Sequence, residues 1–309
     1  MSASDTAIAR PRKRKRSINN DGIKGFLFIL PNLIGFLVFT IIPIIFTVGI
    51  SFTKWDFYKG FDGFEWVGID NYVSLVNDIW FIDSLKNNLF FTAGTIPVLL
   101  VISLLIAVVM NTDIFGRKIV RTMIFVPYIV SMVAVAAVGV SLFNPSNGPI
   151  NQMLRSLGIQ NTPGWFSSIE WALPGVMIIF VWQMLGYDFI IFLAGLQAIP
   201  DELYESAKID GAGSFRRLWN VTVPMLSPTT FFLLITNIIA SFQVFGLINV
   251  LTQGGPGRAT SVLAYYIYLC TFRFSKMGLG AAVAIVLFGI ILVTTLIQWI
   301  IQKKINETF

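Results

Sequence analysis

Seven polar side chains stand inside otherwise apolar stretches of this sequence: Tyr128, Gln183, Tyr187, Asp188, Asn237, Ser241 and Gln243. Polar groups in such stretches are costly, so they face a cavity or another helix. Gln183 and Tyr187 are one helical turn apart, and Asp188 follows directly; helical spacing puts the three on one face to within a residue. Asn237 and Ser241 are likewise one turn apart and share a face. Amides, a carboxylate and phenols donate to and accept from hydroxyl groups, and aromatic rings pack under the apolar faces of sugars. The set therefore suits a polyhydroxylated ligand. It suits hydrogen bonding between helices as well, at roughly 0.6 kcal/mol per bond. Asp188 is the sharpest case. An unpaired carboxylate in a membrane span costs about 3 kcal/mol, so it needs a partner, a water-filled path or a proton. Taken alone, it supports proton-coupled transport.

Other chemistries are poorly supplied. Histidine is absent, which removes the commonest general base and metal ligand. Cys270 is the only cysteine, so no disulfide, redox pair or thiolate metal set can form within the chain. A membrane enzyme needs a cluster of acids, histidines or a nucleophile, and the apolar segments hold one carboxylate. No Gly-Lys-Ser/Thr phosphate loop occurs, so no nucleotide or other cofactor is expected on this chain.

A second polar feature is an island between two long apolar segments. Pro200-Asp201-Glu202 starts a helix, with proline in the first turn and acids at the positive end of the dipole. Leu203, Ala207 and Asp210 share a face, Tyr204 and Lys208 the next, and Gly211 with Gly213 stops the helix. Ser214 is a candidate cap for a second helix over 215–221, closed by Pro224. The product is a helical hairpin on the membrane surface whose small Ala207 and Gly211 admit another backbone. Arg216 and Arg217 suit lipid phosphates or a partner's acids. The plainer alternative is an interfacial linker. A DNA-reading hairpin is disfavoured by its acids and its tether.

The elements that must hold these residues are set by the solvent. The chain is 55% hydrophobic and 12% charged, about half the usual charged fraction of a soluble domain. Six blocks are long and apolar enough to span a bilayer as helices: 26–52, 89–110, 123–143, 171–193, 231–251 and 279–301. With the N-terminus inside, fifteen of the twenty-two Lys and Arg fall on the cytoplasmic side. The positive-inside rule then predicts both termini in the cytoplasm. The expected class is an all-α integral membrane protein: a disordered basic N-terminus over 1–22 and a transmembrane domain over 23–309.

The run Arg12-Lys13-Arg14-Lys15-Arg16 directly precedes a span, so it reads as an anchor to anionic lipid and not as a nucleic-acid patch. The first span is too long for a cleaved signal core and is read as retained. Prolines at 31, 43, 97, 127, 174, 224 and 228 predict kinks or are ordinary membrane-helix prolines. Outside, the loop over 53–88 is acidic and includes a short amphipathic helix over 70–76, with Tyr72, Leu75 and Val76 on one face. A second amphipathic stretch covers 150–157. The piece over 262–274 is aromatic and too short to span, so it is expected at the interface or as outer turns of the last helix.

One resemblance is specific. Glu205-Ser206-Ala207, three residues, Gly211, then Val221-Thr222-Val223-Pro224 resembles the EAA loop of permease subunits in binding-protein-dependent ABC importers. The family pattern is Glu-Ala-Ala, three residues, Gly, nine residues, Ile, one residue, Leu-Pro; Ser206, Val221 and Val223 depart from it mildly. Further stretches resemble the carbohydrate-uptake branch, closest to its maltose-subunit-F-like member: Phe52-Thr53-Lys54-Trp55, Val67-Gly68-Ile69-Asp70-Asn71-Tyr72, Leu142-Phe143-Asn144, the run from Leu193 to Pro200, and Leu251-Thr252-Gln253-Gly254-Gly255-Pro256.

The resemblance implies a type I importer fold of six spans in the bacterial plasma membrane, working as a sugar, oligosaccharide or glycoside permease. It implies four kinds of partner: a second homologous permease subunit, two ATPase subunits that hold ATP and Mg, an extracytoplasmic sugar-binding protein, and lipid. It implies that Glu205, Ala207, Asp210 and Gly211 form the joint to the ATPase, and that the acidic first loop and the loop over 253–258 face the binding protein. Tyr128, Tyr187, Ser241 and Gln243 fall at or beside positions lining the sugar site of the maltose importer. Val244 and Phe180 stand where that importer has asparagines, so the same cargo is not implied.

Overall fold

A computed structural model of the chain describes residues 18–112 and 115–306. It divides into two compact units, Met1–Gly49 and Ile50–Phe309. The run Arg12–Arg16 lies outside the described residues. Helix α1 (Ile18–Phe36) begins inside the segment expected to be disordered.

α1 passes through a π-turn at Leu37–Ile41 into α2 (Ile42–Ser51). Pro43 follows this π-turn by two residues. Its ring nitrogen cannot donate to the carbonyl one turn back, and its ring crowds that carbonyl; widening the helix just before the proline relieves both. The apolar run Gly22–Ser51 leaves nearly all its side chains exposed.

In the second unit, β1 (Thr53–Trp55) pairs antiparallel with β2 (Phe64–Trp66), Thr53 opposite Trp66. α3 (Asp70–Val76) is the short outer helix expected. Tyr72 turns inward to donate to Ser51 Oγ (2.6 Å) and Leu75 is buried. Val76, expected on that face, is exposed because the helix ends there. α4 (Ile79–Met110) starts well before residue 89, because Asp78 Oδ1 caps it, accepting from Trp80 N (2.8 Å) and Phe81 N (3.3 Å).

The expected span over 123–143 is two helices, α5 (Arg117–Ile129) and α6 (Met132–Leu142), bent by 104°. Pro127 removes a hydrogen bond from the last turn of α5. β-branched Ile129 and Val130 follow, and the backbone becomes extended at Val130 and Ser131. α7 (Pro149–Ser156) matches the second amphipathic stretch. α8 (Ile169–Gln197) is a continuous span. Pro97 in α4 and Pro174 in α8 interrupt neither helix.

α9 (Asp201–Ile209) is the polar island. The second hairpin helix departs from expectation. α10 (Ser214–Arg217) runs through a π-turn at Leu218–Thr222 into α11 (Val223–Met225), so Pro224 does not close it. As with Pro43, the π-turn stands two residues ahead of the proline. The chain then bends by 66° into α12 (Ser227–Phe242). The expected span over 231–251 also breaks: α12 ends at Phe242 and α13 (Gly246–Leu251) resumes after a non-helical Gln243–Phe245. Phe245 leaves the helical path to stack on Tyr265 (6.2 Å) and meet Tyr268 (5.3 Å). α14 (Leu263–Tyr268) and a π-turn at Leu269–Arg273 bury Leu263, Tyr265, Tyr266 and Cys270 against the bundle, while Phe272 and Phe274 stay exposed. α15 (Met277–Asn306) closes the chain.

Four helices are long and apolar enough to cross a membrane alone, and six spans result if each bent pair counts as one. α4 and α8 pack parallel at the centre: Phe91 meets Phe180 edge-on (5.1 Å), and further along both helices Ala107 joins Phe189, Leu193 and Leu196 in a buried cluster. Small residues set the close approaches that drive helix association in lipid. At Gly186 a Cβ would stand 2.6 Å from the Ile124 carbonyl oxygen of α5 and 2.8 Å from Phe125 Cα.

Candidate functional site

Two places hold the residues singled out by type. At the end of the bundle where α8 finishes, α9 projects as a short arm. Asp201 and Glu202 in its first turn and Lys208 in its last complement the helix dipole. Pro200 occupies the capping position with extended backbone, not the first turn as expected. The stop is a complete Schellman motif: Gly211 N–H donates to the Lys208 carbonyl (3.0 Å), Ala212 N–H to the Ala207 carbonyl (2.9 Å), and Gly211 takes φ +76°. Gly213, not Ser214, precedes α10, and no side chain caps it; Ser214 instead accepts from Arg217 (3.2 Å).

Glu205, Asp210 and Gly211 are exposed and Ala207 is half-buried. A Cβ on Gly211 would meet nothing within 4 Å. Ile209, 87% exposed, adds an apolar tip beside these acids. The arm is not packed flat. A cleft of about 580 Å³, lined by Asn111, Tyr204, Lys208, Arg217 and Thr222 among others, lies on one side. A smaller one of about 240 Å³ between Ala207, Asp210 and Arg216 lies on the other. Tyr204 Oη and Thr222 Oγ1 share a hydrogen bond of 3.0 Å.

The second place is the bundle interior. Tyr187 of α8 stacks on Tyr128 of α5, centroids 5.1 Å apart at 27°. Asp188 turns instead to α12, where Asn237 Nδ2 donates to its Oδ2 at 2.6 Å. Gln183, Tyr187 and Asp188 therefore do not act as one face: successive residues serve different neighbours. Asn237 and Ser241 do both point into the bundle. Ser241 Oγ shares a hydrogen bond with Thr92 Oγ1 of α4 (2.8 Å) and donates to the Ile238 carbonyl (2.8 Å).

Exposure sorts the seven. Tyr128 is 37% exposed, Gln243 is exposed in the break after α12, and Tyr187 is half-buried. Gln183, Asp188, Asn237 and Ser241 are buried, with Gln183 Oε1 and Asp188 Oδ1 unpaired. The first three keep accessible surface. Asp188, Asn237 and Ser241 tie helices together, and Gln183 and Asp188 each keep an unpaired acceptor.

Residues that sequence reasoning did not single out fasten the opposite end. Ser84 shares a hydrogen bond with Ser261 (2.8 Å), Asn87 donates to the carbonyls of Arg258 (2.8 Å) and Ser261 (2.9 Å), and Asn88 joins Ser241 O (3.2 Å) to Leu263 N (3.2 Å). Their signal was legible: Ser84, Asn88 and Thr92 recur at one-turn spacing at the start of a span. Two acids of the first loop are used internally. Asp83 accepts from Arg258 Nε (2.7 Å), whose guanidinium lies 5.5 Å over the Trp80 ring, and Asp78 also accepts from the Tyr266 hydroxyl. Arg258 and Asp83 keep 40% and 33% of their side-chain surface exposed while they pair with each other. Asp62, Glu65 and Asp70 remain exposed. No group of three or more His, Cys, Asp or Glu able to hold a metal occurs among the described residues.

Comparison with known proteins gives this geometry a context. Residues 80–307 match the family described as the binding-protein-dependent transport system inner membrane component. The chain is 33% identical over 294 residues to the probable ABC transporter permease protein YurN of Bacillus subtilis, covering 94% of this chain and 98% of that one. It is 35% identical over 244 residues to the sn-glycerol-3-phosphate transport system permease protein UgpA of Agrobacterium fabrum, covering 78% and 83%. Among solved structures it is similar to a chain of the bacterial alginate ABC transporter in complex with alginate pentasaccharide-bound periplasmic protein: 28% identity, TM-score 0.78, covering 91% of this chain and 94% of that one. By sequence over most of its length and by fold, the chain belongs to the binding-protein-dependent inner membrane components, the multi-pass permeases of ABC transporters.

Proposed function

We propose that this chain is one transmembrane half of an ATP-driven saccharide importer of the bacterial plasma membrane, with both termini in the cytoplasm. The observation that carries the proposal is the α9 arm. A bundle gains nothing by projecting an ordered, Schellman-closed helix with Glu205, Asp210 and Ile209 turned outward unless another protein receives it. The arm is the joint for an ATPase subunit, with Glu205, Ala207, Asp210 and Gly211 in the contact. ATP and Mg belong to two such subunits, and a homologous permease supplies the other half of the path. The exposed acids Asp62, Glu65 and Asp70 face an extracytoplasmic sugar-binding protein. The alginate importer's complex with its periplasmic protein supports that arrangement.

The cargo reading follows from the path. Tyr128, Tyr187 and Gln243 offer ring faces, phenol hydroxyls and an amide. The one ionisable carboxylate near them is Asp188, and no Lys or Arg stands between residues 122 and 154 or between 156 and 207. An anion shedding water in such a lining finds no cation to replace it. The lining on this subunit suits an uncharged saccharide, whatever charge its relatives' cargo carries.

Membrane vesicles holding the complete complex should take up such a cargo with ATP and without a proton gradient. Uptake driven by a pH gradient in vesicles lacking every ATPase subunit would replace this reading with a proton-coupled carrier built on Asp188.

A further inference from the structure

We infer that the hydrogen bond between Tyr204 and Thr222 is the strut that carries movement of α9 into α12, which makes both side chains positioning residues of the coupling stroke. The inference rests on the role proposed above for α9.

The arm has two routes to the interior. One is the backbone, through Ala198–Pro200 into α8. The other runs to α12, and clefts of about 580 and 240 Å³ separate α9 from the segment leading there. Among the described residues, the Tyr204–Thr222 bond is the one side-chain hydrogen bond from α9 to another element. Thr222 is 5% exposed and closes the π-turn, two residues ahead of Pro224 and just before the 66° bend into α12. A π-turn has wider and poorer hydrogen bonding than the helix on either side, so it is where a pull changes the chain's path most readily. Beyond the bend, α12 carries Asn237 and Ser241, bonded to Asp188 of α8 and Thr92 of α4. With the strut in place, one displacement of α9 reaches α8 and α12 together. Without it, α12 follows only through the backbone over 210–226 and the packing of the Tyr204 ring near Leu226. The Tyr204 ring also packs against the buried cluster of Leu193, Leu196 and Leu226, so Tyr204→Phe removes the hydroxyl and keeps the packing.

The test uses the complete complex with its ATPase subunits, Cys270→Ala, and a single reporter cysteine either at Ser206 on α9 or at Phe232 on α12, both exposed. Spin or fluorescent labels at each site report the change produced by ATP, Mg and vanadate. In the native background both labels should respond. In Tyr204→Phe and in Thr222→Val the α9 label should still respond, while the fraction of α12 that follows falls about fivefold, the equilibrium weight of one neutral hydrogen bond. Thr222→Ser should restore it, and the two lesions together should cost no more than either alone. An α12 response untouched by both lesions overturns the strut and leaves the arm's role standing. An α9 label that never responds in the native complex overturns the arm's role, and the strut with it.

Discussion

Gly211 gives the cleanest way to detect a partner by mutation. Its φ of +76° lies in the left-handed region that L-residues adopt at a cost of about 1–2 kcal/mol. Gly211→Ala and Gly211→Trp incur that backbone cost alike. Their side chains do not differ in what they meet within this chain, because a Cβ there has open space on all sides within 4 Å. Judged by the chain alone, the two variants are equivalent: each weakens the Schellman stop and loosens the end of α9. A seated ATPase subunit breaks that equivalence. Close approach at a glycine leaves no room for an indole, and wedging one in costs a further 1–3 kcal/mol or more, as overpacking does elsewhere. The expected order in reconstituted complexes is then native, Gly211→Ala, Gly211→Trp. Cargo moved per ATP hydrolysed should fall by roughly fivefold to thirtyfold at the first step, from the backbone term, and by at least about fivefold again at the second. Co-purification of the ATPase subunits should follow the same order. Equal behaviour of the alanine and tryptophan variants would falsify the docking of a partner at this surface.

Other outcomes follow from the interior. Asn237→Leu strips Asp188 of its hydrogen-bond donor while Asp188 Oδ1 is already unpaired, so thermal unfolding of the solubilised complex should register a loss of about 1–3 kcal/mol. Asp188→Asn keeps an acceptor for Asn237 and should stay within about 1 kcal/mol of native, with ATP-driven uptake retained; abolished uptake at unchanged stability would point to a proton-carrying carboxylate. Two glycine substitutions should separate by what they meet. Gly94→Ala presses on the flexible end of Met177 and should be tolerated, whereas Gly186→Ala presses on the α5 backbone at Ile124 and Phe125 and should cost about 1–3 kcal/mol in the same melt. Reversal of that order would mean that α5 and α8 are not held as closely as described.

What could be read beforehand was whatever depends on composition and local spacing. The apolar blocks marked where the long helices lie, because chain buried in lipid must be both apolar and helical. Asp201, Glu202, Gly211 and Gly213 bracketed the α9 arm, because dipole and left-handed requirements act over a few residues. The breaks were legible only in part. Pro97 and Pro174 stand in uninterrupted helices, while the bends at Val130–Ser131 and Leu226 fall beside Pro127, Pro224 and Pro228, and the break at Gln243–Phe245 has no proline beside it. Proline makes a kink available without imposing it, and at Phe245 the chain leaves the helix without one, where the ring packs on Tyr265 and Tyr268. The pairing of Asp188 with Asn237 required knowing which helix lies beside α8, and no local pattern carries that. The partners of Ser241 show the same limit: its polarity in a span was plain, but its bond to Thr92 depends on how α4 and α12 cross.

The interruption between α5 and α6 leaves Val130 and Ser131 extended and exposed at the point where a span changes direction. The two helices keep part of the break satisfied: Val130 N–H donates to the Val126 carbonyl (3.2 Å) and the Ser131 carbonyl accepts from Val135 N–H (3.0 Å), so what the turn frees lies between them, at the Val130 carbonyl and the Ser131 amide. If the proposed saccharide passes this point, the backbone groups it meets are ones that no codon change can delete. Selection alters that greeting only by shifting the bend itself. Preference for one guest over another in a protein of this kind then drifts through the shape of the backbone before it drifts through the identity of side chains.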